Sequence, residues 1–110
     1  MPQATRPPQT LAKPYGPNLS THTMSLSTDG AIDSTCRATL GVSCYIQASG
    51  NGKTMTVSDT KAVTAEASDN GVDLPWNIHR LSAGTWLMQA VAAKDGLTTS
   101  SDSETLVITP

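Results

Sequence analysis

Residues 42–57 carry the pattern that most limits what this chain can fold into. Val42, Cys44, Ile46 and Ala48 alternate with Ser43, Tyr45, Gln47 and Ser49, which places the first set on one side of an extended strand. Gly50-Asn51-Gly52 follows at once with residues that tolerate positive φ, and Met55 and Val57 resume the alternation beyond it. An apolar stripe, a tight reversal and a second stripe specify a β-hairpin with one buried face.

The same grammar recurs along the chain. Met24 and Leu26 alternate with polar residues before Asp29-Gly30, and Val63, Ala65 and Ala67 form a further stripe closed by Asp69-Asn70-Gly71. Trp76 and Ile78 alternate after Pro75, whose missing N–H suits a strand start or an edge. Trp86, Met88, Ala90 and Ala92 share one face before Asp95-Gly96, and Glu104 to Thr109 supplies a closing strand. At 110 residues the chain suits one core, and helical periodicity is absent. The expectation is all-β: an antiparallel sandwich of about seven strands over residues 22–110, with Leu26, Ile46, Val57, Ile78, Trp86, Met88 and Ala90 inward. Phe is absent, so the two tryptophans must supply much of the large apolar volume.

Residues 1–18 read differently. They hold five of the seven prolines, at positions 2, 7, 8, 14 and 17, which excludes helix and sheet interior and predicts an extended arm or linker ahead of a domain at 19–110. The first twenty residues carry Arg6 and Lys13 and no acid, whereas the remaining ninety hold five basic and nine acidic side chains, a formal −4. An arm of that sign could bind a protein partner or another copy of the chain, with Arg6 and Lys13 against an acidic surface and Tyr15 adding apolar contact. Salt would weaken such an attraction. A net charge of −2 gives no field for nucleic acid, and no run of eighteen apolar residues offers a membrane span. The N-terminus has no apolar signal core, which fits a removed signal, a piece excised from a longer chain, or a protein exported as part of an assembly.

The stretch Leu81-Ser82-Ala83-Gly84-Thr85-Trp86-Leu87-Met88-Gln89-Ala90-Val91-Ala92, followed by Asp95-Gly96, resembles a corner and hairpin of bacterial immunoglobulin-like and fibronectin type III-like modules. The resemblance spans roughly residues 22–110. It implies that Leu81 plugs one end of a sandwich, Gly84 permits a bend, and Trp86 stands where those families place a tyrosine, leaving an indole N–H in place of the hydroxyl. Such modules serve as spacers, adhesins, sugar binders and virion decorations, so the resemblance speaks to fold more than to function.

Cys36 and Cys44 flank Leu40-Gly41. If the chain reverses there, the two come opposite each other on paired strands at a separation that a disulfide can span. The competing arrangement is two buried thiols. Closing so short a loop would add about 2–3 kcal/mol by the chain-entropy argument.

Catalytic machinery is not expected. His22 and His79 are the only histidines, neither falls in a nucleophile–base motif, and their spacing from Cys36 and Cys44 matches no zinc module. Asp29, Asp33, Asp69, Asp73 and Asp95 sit at turn signals with no calcium-loop pattern, so no metal or cofactor is expected. Trp76, beside Pro75 and near His79 and Arg80, has two readings: an exposed platform for a protein partner or a sugar ring, or a core residue in a chain without Phe. The function expected first is a non-catalytic structural or adhesive module of a cell-surface or extracellular protein. A decoration or accessory subunit of a virion or filament, docked through its arm, is the second class, and a carbohydrate-binding module centred on Trp76 is the third.

Overall fold

The computed structural model describes residues 11–64 and 71–110, and these fold as all-β structure. The strands are β1 (Thr23–Ser25), β2 (Ala31–Ile32), β3 (Thr35–Cys36), β4 (Ser43–Gly50), β5 (Lys53–Thr56), β6 (Lys61–Ala62), β7 (Val72–Asp73), β8 (Trp76–Asn77), β9 (Gly84–Lys94), β10 (Leu97–Ser100) and β11 (Glu104–Thr109). One turn of 3-10 helix, Ile78–Arg80, follows β8 where continued alternation was expected. The side chain of Asn77 caps it by accepting from the amide of His79.

The larger sheet runs β1-β11-β9-β4-β5, with β10 also on β9 and β6 also on β4. It is mixed because β1 lies parallel to β11 while the other pairs are antiparallel. Its centre is the pairing of β4 with β9, in which Cys44, Ile46 and Ala48 stand opposite Ala92, Ala90 and Met88. All six of those side chains are buried, so the alternation legible in residues 42–48 and 86–92 does mark the inner face. The Asn51-Gly52 and Asp95-Gly96 pairs have positive φ at both residues and join β4 to β5 and β9 to β10 by two-residue reversals.

Two short ribbons, β2 with β8 and β3 with β7, lie off this sheet. Their Ile32, Cys36 and Trp76, with Leu74 between β7 and β8, share one hydrophobic cluster with Ile46, Val57, Met88, Ala90, Trp86 and Leu106 of the larger sheet and its flanks. Of the residues expected inward, Ile46, Val57, Ile78, Trp86, Met88 and Ala90 are buried, and Leu26 is half-buried against the core. Val63 is buried next to β6, but Ala65, Ala67, Asp69 and Asn70 lie outside the described residues.

Two buried serines repair the central strands. The edge partner of each breaks off: β5 ends at Thr56, and β10 gives way to β11 between Ser100 and Glu104. At the first break the amide of Ile46 donates to Ser58 Oγ at 2.8 Å, and at the second the amide of Ala90 donates to Ser101 Oγ at 2.9 Å. Each hydroxyl donates in turn to the carbonyl of the aspartate that follows it. The ladder is thereby completed by side chains where backbone pairing fails.

The described part of the expected arm belongs to the domain. Tyr15 and Arg37 exchange both backbone hydrogen bonds at 2.8 Å, and the amide of Thr35 donates to the Pro17 carbonyl at 2.7 Å. Pro14 and Pro17 are fully buried and Leu19 nearly so. The boundary expected after residue 18 therefore falls inside the packed unit. Proline excludes a strand in a sheet interior, but Pro14 and Pro17 flank the two-way pairing of Tyr15 and need no N–H of their own there.

Candidate interaction surfaces

The residues singled out in the sequence as partner-binding do not form one site. Arg6 lies outside the described residues. Lys13 forms an ion pair with Asp102 of its own domain, in place of the acidic neighbouring surface expected for it. Tyr15 is 73% exposed and, with Lys13, Ser101 and Asp102, borders a small hollow beside the β10–β11 junction. Trp76 borders a different hollow with Ala31, Val57, Asp59, Pro75 and Arg80.

Trp76 is not an exposed platform. It is 6% exposed, and its Nε1 donates to Ser34 Oγ at 2.8 Å in the interior. Burying an indole removes a large apolar area from water, and the buried hydroxyl of Ser34 satisfies the one polar atom that goes in with it. Of its two sequence readings the core one describes the structure. The tryptophan edge that reaches the hollow is too small to stack a sugar ring.

The corner is built around Trp86, which is 1% exposed. Its Nε1 donates to the Ser82 carbonyl at 2.9 Å, so the indole N–H bonds the backbone four residues upstream. Leu81 is buried, with its amide closing the helical turn on the Ile78 carbonyl. Gly84 has φ +142°, and a β-carbon there would come 3.0 Å from the Asn51 side chain that reaches across to Ser82. Glycine allows both the backbone conformation and that approach.

Cys36 and Cys44 are bonded, with Cα atoms 6.3 Å apart and both residues wholly buried. The bond differs from expectation in what it joins. The chain does turn at Leu40-Gly41, but β3 then pairs with β7 and β4 pairs with β6 and β9, so the cysteines are not cross-strand neighbours in a hairpin. The bridge ties a short ribbon to the larger sheet across the core.

A residue with no motif to announce it organises the N-terminal edge. Glu104, at the start of β11, accepts from the backbone amides of Asn18 at 2.6 Å and Leu19 at 3.2 Å, and its Oε1 lies 3.1 Å from His22 Nε2. One carboxylate thus holds the segment that leads into β1. His79 Nε2 lies 3.1 Å from the Leu26 carbonyl. Among the described residues no three His, Cys, Asp or Glu side chains gather as metal ligands would, and no helix is long and apolar enough to cross a membrane. No protein-family profile matches this chain, and no relative is found among curated proteins.

Proposed function

We propose that this chain is an immunoglobulin-like β-sandwich that acts as a non-catalytic structural or adhesive module on a cell surface or outside the cell. The observation that carries the reading is the path of the chain. Leu11 lies beside Lys94, Asp95 and Leu97 at one end of β9, whereas Thr109 and Pro110 run out beyond Gly84 at the other. The first and last strands of the larger sheet, β1 and β11, are hydrogen bonded in parallel at the second of those poles, through residues 23–25 and 107–109. Tension applied from Leu11 to Pro110 would load the Tyr15–Arg37 pairing and the contacts of residues 17–19 first and the parallel β1–β11 pairing behind them, an arrangement suited to a spacer or an anchor.

Three further features support the reading. The short ribbons and the inner face of the larger sheet enclose one cluster, as two facing sheets do. The Trp86–Ser82 bond completes the corner by which the sequence resembles bacterial immunoglobulin-like modules. The buried disulfide suits an oxidising compartment. The subunit reading, docking through the arm, now draws on residues 1–10 and the exposed side chain of Tyr15, since the backbone of residues 15–19 is tied to the domain. The sugar-binding reading loses its platform with Trp76 buried.

The test is labelling of intact source cells with a membrane-impermeant amine reagent. Modification of exposed Lys53 before lysis is the expected result. Modification only after lysis would overturn a cell-surface role.

A further inference from the structure

The outward face of the larger sheet is uncharged from edge to edge. The charged residues in its strands are Lys53, Lys61, Lys94 and Glu104. Each lies near a strand end, and their partners Gly50, Cys44, Leu97 and Met88 show that all of them sit on the inner parity. The opposite parity carries Ser and Thr at most positions, with Gln47 and Gln89 paired at the centre. Leu87 stands among them, flanked by Ser49 and Thr105 and 48% exposed. A solvated surface is ordinarily about a quarter to a third charged. A whole sheet face with no charge departs from that, in a chain that is 15% charged overall.

We propose that this face docks on the same face of a second copy of the chain. The charge distribution argues for that occupant. With no charge on the face, it has nothing to steer or select a nucleic acid, an anionic membrane or a strongly charged protein. It is built mostly from short side chains on a continuous sheet, and the hollows beside Tyr15 and Trp76 lie off it. Two-fold pairing sets a patch against itself, and for most patches like charges then meet; here none can, although the molecule as a whole is negative. An exposed Leu87 with half-buried Val107 diagonal to it, surrounded by hydroxyls and carboxamides, gives an uncharged apolar spot with a polar rim.

The size sits at the lower bound for a stable pair. The seven strands of the sheet, at a rise of about 3.3 Å per residue and a spacing of about 4.8 Å, cover roughly 600 Å², the low end of what each partner buries in a stable complex.

The test is sedimentation of the full chain over a concentration series. The expected result is a rise from 11.5 kDa toward twice that mass between about 1 and 500 µM. Salt at 1 M should leave the association intact, because no ion pair contributes. Leu87→Glu, and separately Thr105→Lys, should each weaken it at least ~10-fold by placing like charges across the two-fold axis. Both positions are exposed, so both variants should melt as the parent does. A monomer throughout the series would overturn the proposal. So would an association that salt dissolves, one lost on deleting residues 1–10, or one that neither variant weakens while both remain folded. Chemical-shift changes on this face with added neutral polysaccharide, but none with the protein's own concentration, would assign the face to a different partner.

Discussion

Trp86 and Ser82 are joined by a 2.9 Å hydrogen bond from the indole Nε1 to the backbone carbonyl, so the largest side chain of the core also pins the loop that delivers it. Across the sheet Gly50 leaves the ring its space: a β-carbon there would come within 2.9 Å of the ring and 2.7 Å of the Thr85 carbonyl. Trp86→Ala should lower stability by about 3–5 kcal/mol in urea denaturation, the range for a large aromatic removed from a core. Trp86→Phe should cost less but more than a methylene or two, because the Ser82 carbonyl loses its donor. Gly50→Ala should cost about 1–3 kcal/mol by overpacking. Wild-type melting of Trp86→Ala would refute the corner.

The Trp76–Ser34 bond makes a second, sharper case. Ser34→Ala removes one oxygen and leaves the indole N–H unpaired inside the protein, so a loss of about 1–3 kcal/mol is expected. Native tryptophan fluorescence should resist quenching by iodide, since both indoles are buried. Quenching to the level of the unfolded chain would return Trp76 to the surface and revive its role as a platform.

Glu104 and Lys13 should separate by magnitude. Glu104→Ala strips acceptors from two backbone amides and should cost about 1–3 kcal/mol, with faster amide exchange at Asn18 and Leu19. Lys13→Ala breaks an ion pair whose side chains are 56% and 91% exposed, and should cost about 0–1 kcal/mol. Equal losses in the two variants would contradict the central place given to Glu104.

Cys36 and Cys44 should resist alkylation in denatured, unreduced protein and react fully after reduction. Replacing both with Ala should lower stability by about 2–3 kcal/mol through the freed loop, with any loss of buried packing added to it. Two reactive thiols in material purified under oxidising conditions would exclude the bridge.

The strands were largely legible because their causes are local. A period of two over residues 42–48 and 86–92, closed by Asn51-Gly52 and Asp95-Gly96, needs no information from more than a few positions away. The same logic failed at Ile78, where Asn77 caps a helical turn that a single apolar alternation cannot distinguish from strand. It failed again at residues 11–18. Proline content there excluded helix and sheet interior correctly, but composition cannot reveal that the backbone of Tyr15 will pair with Arg37 just beyond β3.

What the sequence by itself determined, then, is an all-β chain, the inner face of its central hairpins, and the turns that close them. The tertiary structure decided the partners: Ser34 for Trp76 over 42 positions, the amides of residues 18 and 19 for Glu104 over 86 and 85, Asp102 for Lys13 over 89, and a cysteine bridge between sheets where spacing suggested a hairpin. Alternation and turn propensity act through the backbone of neighbouring residues. A serine hydroxyl or a single carboxylate acquires its role only when packing brings a distant, otherwise unpaired group within hydrogen-bond reach.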